Sequence, residues 1–190
     1  MLKQKLSEHI RGIITLTDEQ LELALSFFKY AQYQKNEFLV NEGQISQHMN
    51  FIVKGCLRIF FIREDGQEAT RHLAFEQQFA TGLASFITQT PSGEYIQAME
   101  ETMLLRITRK DFYYLLNIIP AWEKFYRNYL ENAYINNIQI FKREITKDAE
   151  LRYKELLDRN PEVVQRLSNK VVASYLNMSP ETLSRIKSRR

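Results

Sequence analysis

With a single cysteine in 190 residues, Cys56, the chain lacks the means for several kinds of chemistry at once. One thiol cannot close an internal disulfide, and it can build neither a thiolate zinc cage nor an iron–sulfur cluster. Histidine is nearly as scarce: His9, His48 and His72 stand far apart, and none forms a His-x-His or His-x-Asp/Glu pair. Metal-dependent oxygenase chemistry needs two or three histidines and a carboxylate converging on one ion, so that class is excluded. No glycine-rich phosphate loop, Gly-x-Ser-x-Gly elbow or Cys–His pair occurs, and the chain reads as a non-enzyme. No apolar run approaches the ~20 residues of a membrane span. The first residues, Met1 to Ile13, are charged and amphipathic, without the apolar stretch and cleavage site of a signal peptide. The expectation is a cytoplasmic protein with no membrane partner.

What is present is ordinary globular material, 44% hydrophobic and 26% charged, with 12 Phe and 10 Tyr to fill a core. Charge is unevenly spread. Arg166, Lys170, Arg185, Lys187, Arg189 and Arg190 face only one acid, Glu181, in the last stretch, whereas the whole chain carries only +3. A basic tail on a slightly acidic body suits a polyanionic partner.

Three regimes follow one another along the chain. Thr17-Asp18-Glu19-Gln20 reads as a capping box ahead of the apolar Leu21, Leu23, Ala24, Leu25 and Phe27. From about Tyr30 to Ile107, short β-rich runs alternate with turns. Phe38–Val40 ends at Asn41-Glu42-Gly43, and Phe51–Val53 meets Cys56–Ile62 across Lys54-Gly55 as a tight turn. Asp65-Gly66 predicts a hairpin whose second strand runs from Glu68 to Phe75, and Tyr95–Met99 and Met103–Ile107 supply further strands. From Pro120 to about Ile145 the period is helical, with two apolar stripes: Trp122, Tyr126, Tyr129, Ala133 and Ile140, and Leu130, Tyr134, Ile138, Phe141 and Ile145. A helix lying on one sheet needs a single stripe. Two stripes imply a second neighbour, expected to be another subunit, with Trp122, Tyr126, Tyr129, Ala133, Ile138, Phe141 and Ile145 as dimer-helix residues.

The last segment carries the sharpest signal. A helix from Ser168 through Leu176 and another from Ser179 onward fit a steep crossing through a tight turn. Ala173 is small where the helices touch, and Asn177 tolerates left-handed φ. Val172, Leu176, Met178, Leu183 and Ile186 seal the angle, while Ser179 caps the second helix with Pro180 at its first position. Glu181, Ser184, Arg185 and Ser188 then face outward. Arg185 can bind guanine O6 and N7, and Glu181 can accept from a cytosine amino group. Ser168, Asn169, Lys170, Ser179, Thr182, Ser184, Lys187, Arg189 and Arg190 are the candidate phosphate contacts.

Ser179-Pro180-Glu181-Thr182-Leu183-Ser184-Arg185-Ile186 resembles the recognition helix of the cyclic-AMP receptor and fumarate–nitrate regulator (Crp/Fnr) superfamily, with Pro180 where that family often has arginine. The resemblance implies an α+β fold: an N-terminal antiparallel β-roll of jelly-roll, cyclic-nucleotide-binding-like type, a long dimerisation helix, and a C-terminal winged-helix-like helix-turn-helix with its wing short or absent. The corresponding domains are 1–118, 119–146 and 147–190. It also implies a homodimeric transcription regulator on a two-fold related operator, with double-stranded DNA and RNA polymerase as partners. In the family's nucleotide-binding members a Gly-Glu pair holds the ribose and an Arg-Ser pair the phosphate. Here Thr81-Gly82 occupies the first place, and the second falls near Ser92-Gly93-Glu94-Tyr95, without an arginine. A buried phosphate without its cation is costly, so neither cyclic nucleotide nor iron–sulfur cluster is expected as cofactor. The rival reading is a small-molecule-binding β-roll without DNA function, its effector pocket drawn from Thr81, Gly82, Leu83, Tyr95 and Arg127, with Tyr126 and Tyr129 nearby.

Overall fold

The computed structural model describes residues 2–189. It divides into two compact units, Met1–Ile59 with Leu73–Asn132 and Phe60–His72 with Ala133–Arg190.

The first unit begins with α1 (Leu2–Arg11) and α2 (Asp18–Phe27). Thr17 caps α2 as the sequence predicts: its hydroxyl accepts from Gln20 N–H at 3.2 Å, and Gln20 Oε1 accepts from Thr17 N–H at 3.1 Å. Eight strands follow: β1 (Lys29–Tyr33), β2 (Phe38–Val40), β3 (His48–Lys54), β4 (Leu57–Ile62), β5 (Glu68–Ala74), β6 (Phe79–Ala80), β7 (Tyr95–Ala98) and β8 (Thr102–Thr108). They form two four-stranded sheets, ordered β1-β8-β3-β6 and β2-β7-β4-β5. The helices α3 (Leu83–Thr88), α4 (Arg109–Ile118) and α5 (Pro120–Thr146) complete the roll and lead out of it.

In the first sheet the central strand β3 is buried on both faces, while the edge strand β1 is largely exposed. Met49, Phe51 and Val53 of β3 join Leu105 and Ile107 of β8 in a cluster with Leu6, Ile10, Phe112, Leu115, Trp122 and Phe125 from the helices. The alternate residues Ile52 and Leu104 meet Val40, Leu57, Ile59, Ala74, Ile96 and Ala98, which belong mostly to the second sheet. Period-two alternation therefore serves two cores, and β3 is buried from Met49 to Val53, with the polar Asn50 donating to Ala80 O at 3.1 Å.

Two expectations need correction. The runs flanking Lys54-Gly55 do not form a hairpin, because β3 and β4 belong to different sheets and Gly55 (φ +104°) carries the chain from one to the other. β7 and β8 are likewise split between sheets. Trp122 is no dimer contact: it is fully buried in its own unit, stacked on Phe125 at 4.8 Å, and Tyr126 and Tyr129 lean on the same core. Helix α4, capped by Thr108, was not anticipated in the sequence.

The second unit contains the tip of the β4–β5 hairpin, where Gly66 adopts φ +79° and Arg63 N–H donates to Gln67 O at 2.9 Å. It also contains the end of α5 and four helices: α6 (Ala149–Arg159), α7 (Pro161–Arg166), α8 (Asn169–Tyr175) and α9 (Pro180–Ser188). Asp148 caps α6 through Leu151 N–H at 2.9 Å. The unit's buried apolar residues include Phe60, Tyr153, Leu156, Val163, Leu167, Val171, Val172, Ala173, Leu176, Leu183 and Ile186.

His72 in β5 gives the fold a pH limit. Burial, then the positive charge of Arg71, lowers its pKa from 6.5 to about 4. Between those values the unfolded chain holds a proton that the folded chain refuses, so stability is complete above pH 6.5 and declines toward pH 4. The full gap corresponds to about 3 kcal/mol. Burial shifts His9 and His48 in the same direction. The melting temperature is therefore expected to fall steadily from pH 6.5 to 4, and His72→Gln to flatten the slope. Parallel slopes in the two proteins would assign the effect to other groups.

Candidate nucleic-acid interface

The last two helices are joined as the sequence requires. Ser168 caps α8 by accepting from Val171 N–H at 3.4 Å, and Ala173 is completely buried. Asn177 takes φ +49°, in the left-handed region, and Met178 N–H closes the turn on Ala173 O at 3.0 Å. Ser179 caps α9 through Thr182 N–H at 3.1 Å, with Pro180 leading the helix. Leu176 and Leu183 are fully buried and Ile186 nearly so, which leaves Glu181, Ser184, Arg185 and Ser188 exposed on the opposite side.

The exposed side chains are ordered among themselves. Arg185 Nη2 donates to Thr182 Oγ1 at 3.2 Å, and Lys187 Nζ to Asn169 Oδ1 at 2.6 Å, which ties two candidate phosphate contacts from different helices together. Glu181 titrates below the usual carboxylate range, chiefly through its own backbone N–H, then the Ser179 hydroxyl and the Arg185 charge. It is ionised at neutral pH and can only accept hydrogen bonds. Lys170 lies 3.4 Å from a Glu68 carboxylate oxygen. Arg189 is exposed, and Arg190 lies outside the described residues.

Sequence reasoning missed the arginines at the turn. Arg63 from the hairpin donates to Asn177 Oδ1 at 2.5 Å, Arg152 of α6 to Asn177 O at 3.3 Å, and Arg143 of α5 to Tyr175 O at 3.5 Å. The Arg143 guanidinium also sits 5.1 Å from the Tyr175 ring centroid. Cations here meet the carbonyl end of α8, where the helix dipole is negative. No local pattern could have announced them.

In the first unit, hydroxyl groups bond one another where the sensor pocket was expected. Ser46 Oγ lies 3.1 Å from Thr81 Oγ1 and accepts from Gly82 N–H at 3.3 Å. Thr81 Oγ1 donates to His48 O at 2.9 Å, and Ser85 Oγ donates to Thr90 O at 2.6 Å while accepting from Ser46 N–H at 3.0 Å. Ser92 Oγ closes on Glu94 O at 2.9 Å. A Cβ added at Gly82 would meet Ser46 Cβ and Oγ at 3.4 Å and Ser92 Oγ at 3.5 Å, ordinary contact distances, so this glycine lies against both serines. Leu83 is half-buried at the start of α3. Tyr95 packs its ring on Phe38 and donates to Glu42 at 3.2 Å, and Arg127 pairs with Glu131 on the exposed side of α5. An open cavity of about 420 Å³ lies elsewhere, lined by Gln47, Gln89, Arg109, Lys110, Tyr113, Tyr114 and Asn117.

Residues 30–118 match the cyclic nucleotide-binding domain family. The cyclic AMP receptor protein of Thermus thermophilus is 28% identical over 105 residues, 55% of this chain and 48% of that protein. The chain thus spans about half the length of the curated relative it matches. Among solved structures, the c-di-GMP responsive global regulator CLP of Xanthomonas campestris superposes with a TM-score of 0.73 at 15% identity, covering 91% of both chains. FixK2 of Bradyrhizobium japonicum gives a TM-score of 0.74 at 16% identity, covering 85% of this chain and 83% of that one. The chain carries a match to the cyclic nucleotide-binding domain and shares its fold with solved Crp/Fnr regulators.

In Crp/Fnr terms, the jelly-roll sheets, the long α5 and the later helices appear in the expected order. The end of α5 presents the second apolar stripe: Tyr134, Ile138, Phe141 and Ile145 are 67%, 48%, 62% and 66% exposed. Ala133 of the first stripe is half-buried in the second unit. Among the described residues, no group of His, Cys, Asp or Glu is placed to hold a metal ion, and no helix is long and apolar enough to cross a membrane.

Proposed function

We propose that this Crp/Fnr-fold chain is a sequence-specific DNA-binding transcription regulator, acting in the cytoplasm as a homodimer on a two-fold related operator. Its roles divide as a sensor roll (1–118), a dimerisation helix (119–146) and a DNA reader (147–190), with RNA polymerase as a further partner. The observation that carries this reading is the exposed pair Glu181 and Arg185, one helical turn apart on the second helix of a helix-turn-helix. Arg185 reads guanine, and Glu181, held ionised, accepts from cytosine. Ser168, Asn169, Lys170, Thr182, Lys187 and Arg189 surround them as phosphate contacts.

Selection from random duplexes tests this reading. The expected product is a palindrome with half-sites about one helical turn apart. Arg185→Ala should relax specificity at one base pair per half-site, at a cost of about 1–3 kcal/mol each. Lys187→Ala should weaken all duplexes alike. Failure to enrich any sequence would leave the small-molecule module as the better reading.

The sensor roll holds no cyclic nucleotide in this proposal. The hydroxyls of Ser46, Thr81, Ser85 and Ser92 already bond one another or the main chain, and the stretch Ser92-Gly93-Glu94-Tyr95 offers no arginine to pair a phosphate. Calorimetry with cyclic AMP and cyclic GMP is expected to show no heat of binding. A micromolar isotherm would overturn that expectation.

A further inference from the structure

The tip of the β4–β5 hairpin lies along the first helix of the DNA reader, within one compact unit. Ser174 Oγ donates to Glu68 O at 2.7 Å and accepts from Thr70 N–H at 2.9 Å, with Thr70 Oγ1 also at 2.9 Å. One turn earlier on the same face of α8, Lys170 Nζ reaches the Glu68 carboxylate at 3.4 Å. Beyond the end of α8, Arg63 from the other side of the hairpin holds the Asn177 side chain at 2.5 Å. A strand backbone bonded to a helix serine, with charged contacts on either side, forms a specific seam. The base-reading face of α9 lies outside it: Glu181 and Arg185 stay exposed.

We propose that this hairpin is a latch, engaging the phosphate-gripping side of α8 in the free protein and releasing it on DNA. The proposal rests on the DNA-reading assignment above. Lys170 cannot serve a phosphate while it neutralises Glu68, and the Glu68 carboxylate repels any phosphate that approaches. The strands that end in the latch begin in the roll, where Leu57, Ile59 and Ala74 are core residues.

The test uses the full-length protein and a 20-base-pair duplex. Glu68→Gln is expected to bind roughly three- to tenfold tighter, with log K against log salt steeper by about 1.8 for the dimer, one added phosphate contact per protomer. Adding Lys170→Gln should remove both changes. Hydrogen exchange supplies a second measurement: the Thr70 amide is protected in the free chain and should exchange faster once duplex is bound. Unchanged affinity and slope in Glu68→Gln would overturn the latch, as would a gain that survives Lys170→Gln or a Thr70 amide that stays equally protected on DNA. If wild type and every variant fail to bind any duplex while Thr70 is protected, the DNA reading itself falls and the latch loses its role with it. Thermal melts identify any variant that has lost its fold, and Arg63→Gln then provides the same comparison from the other side of the hairpin.

Discussion

Replacing Phe141 and Ile145 together by glutamate is expected to convert a dimer into a monomer and to weaken operator binding at least a hundredfold. Tyr134, Ile138, Phe141 and Ile145 are spaced by four, three and four residues, the seam of a two-stranded coiled coil. All four are about half exposed or more in the single chain, an apolar row that water does not favour. Burying such a side chain contributes about 1.5–3 kcal/mol. The double substitution removes four of them from a two-fold interface and sets four carboxylates against one another. Affinity for a two-half-site operator then loses its avidity, a factor of roughly 10² to 10⁴. Sedimentation equilibrium measures the mass, and far-ultraviolet circular dichroism checks that the helices persist. A variant that sediments like the wild type, or a wild type that is already monomeric, would remove this face from the interface.

The sequence was most readable where one residue type has one local reason to be present. Thr17, Ser168 and Ser179 cap the helices they were expected to cap, Asn177 takes left-handed φ, and Asp65-Gly66 turns the hairpin. These are short-range effects, decided within about four residues. What was misread depends on distant partners. Lys54-Gly55 looks like a hairpin turn in sequence, yet the partners that separate β3 from β4 are β8 on one side and β5 and β7 on the other. Trp122 fits an apolar stripe equally well as core or interface, and only Phe112 and Phe125 around it settle the matter. In the sensor roll, Thr81-Gly82 could be found by comparison with a motif, but Ser46, whose hydroxyl bonds both residues, lies 35 residues from Thr81. The seam on α8 was the least accessible: Arg63 and Asn177 are 114 residues apart.

Gly55→Ala is expected to destabilise the roll as much as truncating one of its buried aromatic side chains. Its φ of +104° is a conformation that residues with a Cβ rarely adopt, at a cost of about 1–3 kcal/mol. A Cβ would also stand 2.5 Å from Thr102 Oγ1 and 2.8 Å from both Glu101 O and Thr102 Cα. Two of these three atoms belong to the backbone, so rotating a side chain cannot relieve the crowding. Nor can Gly55 withdraw easily: its N–H donates to Glu76 Oε1 at 2.8 Å, and Cys56 O, next along the chain, accepts from Met99 N–H at 2.9 Å. The strain and overpacking together amount to about 3–5 kcal/mol, a large share of the 5–15 kcal/mol typical of a whole domain. Chemical denaturation followed by tryptophan fluorescence reports the roll directly, because Trp122 lies in its core. A midpoint shift equivalent to less than about 1 kcal/mol would show that the crossing between the sheets can move, contrary to the packing around Gly55.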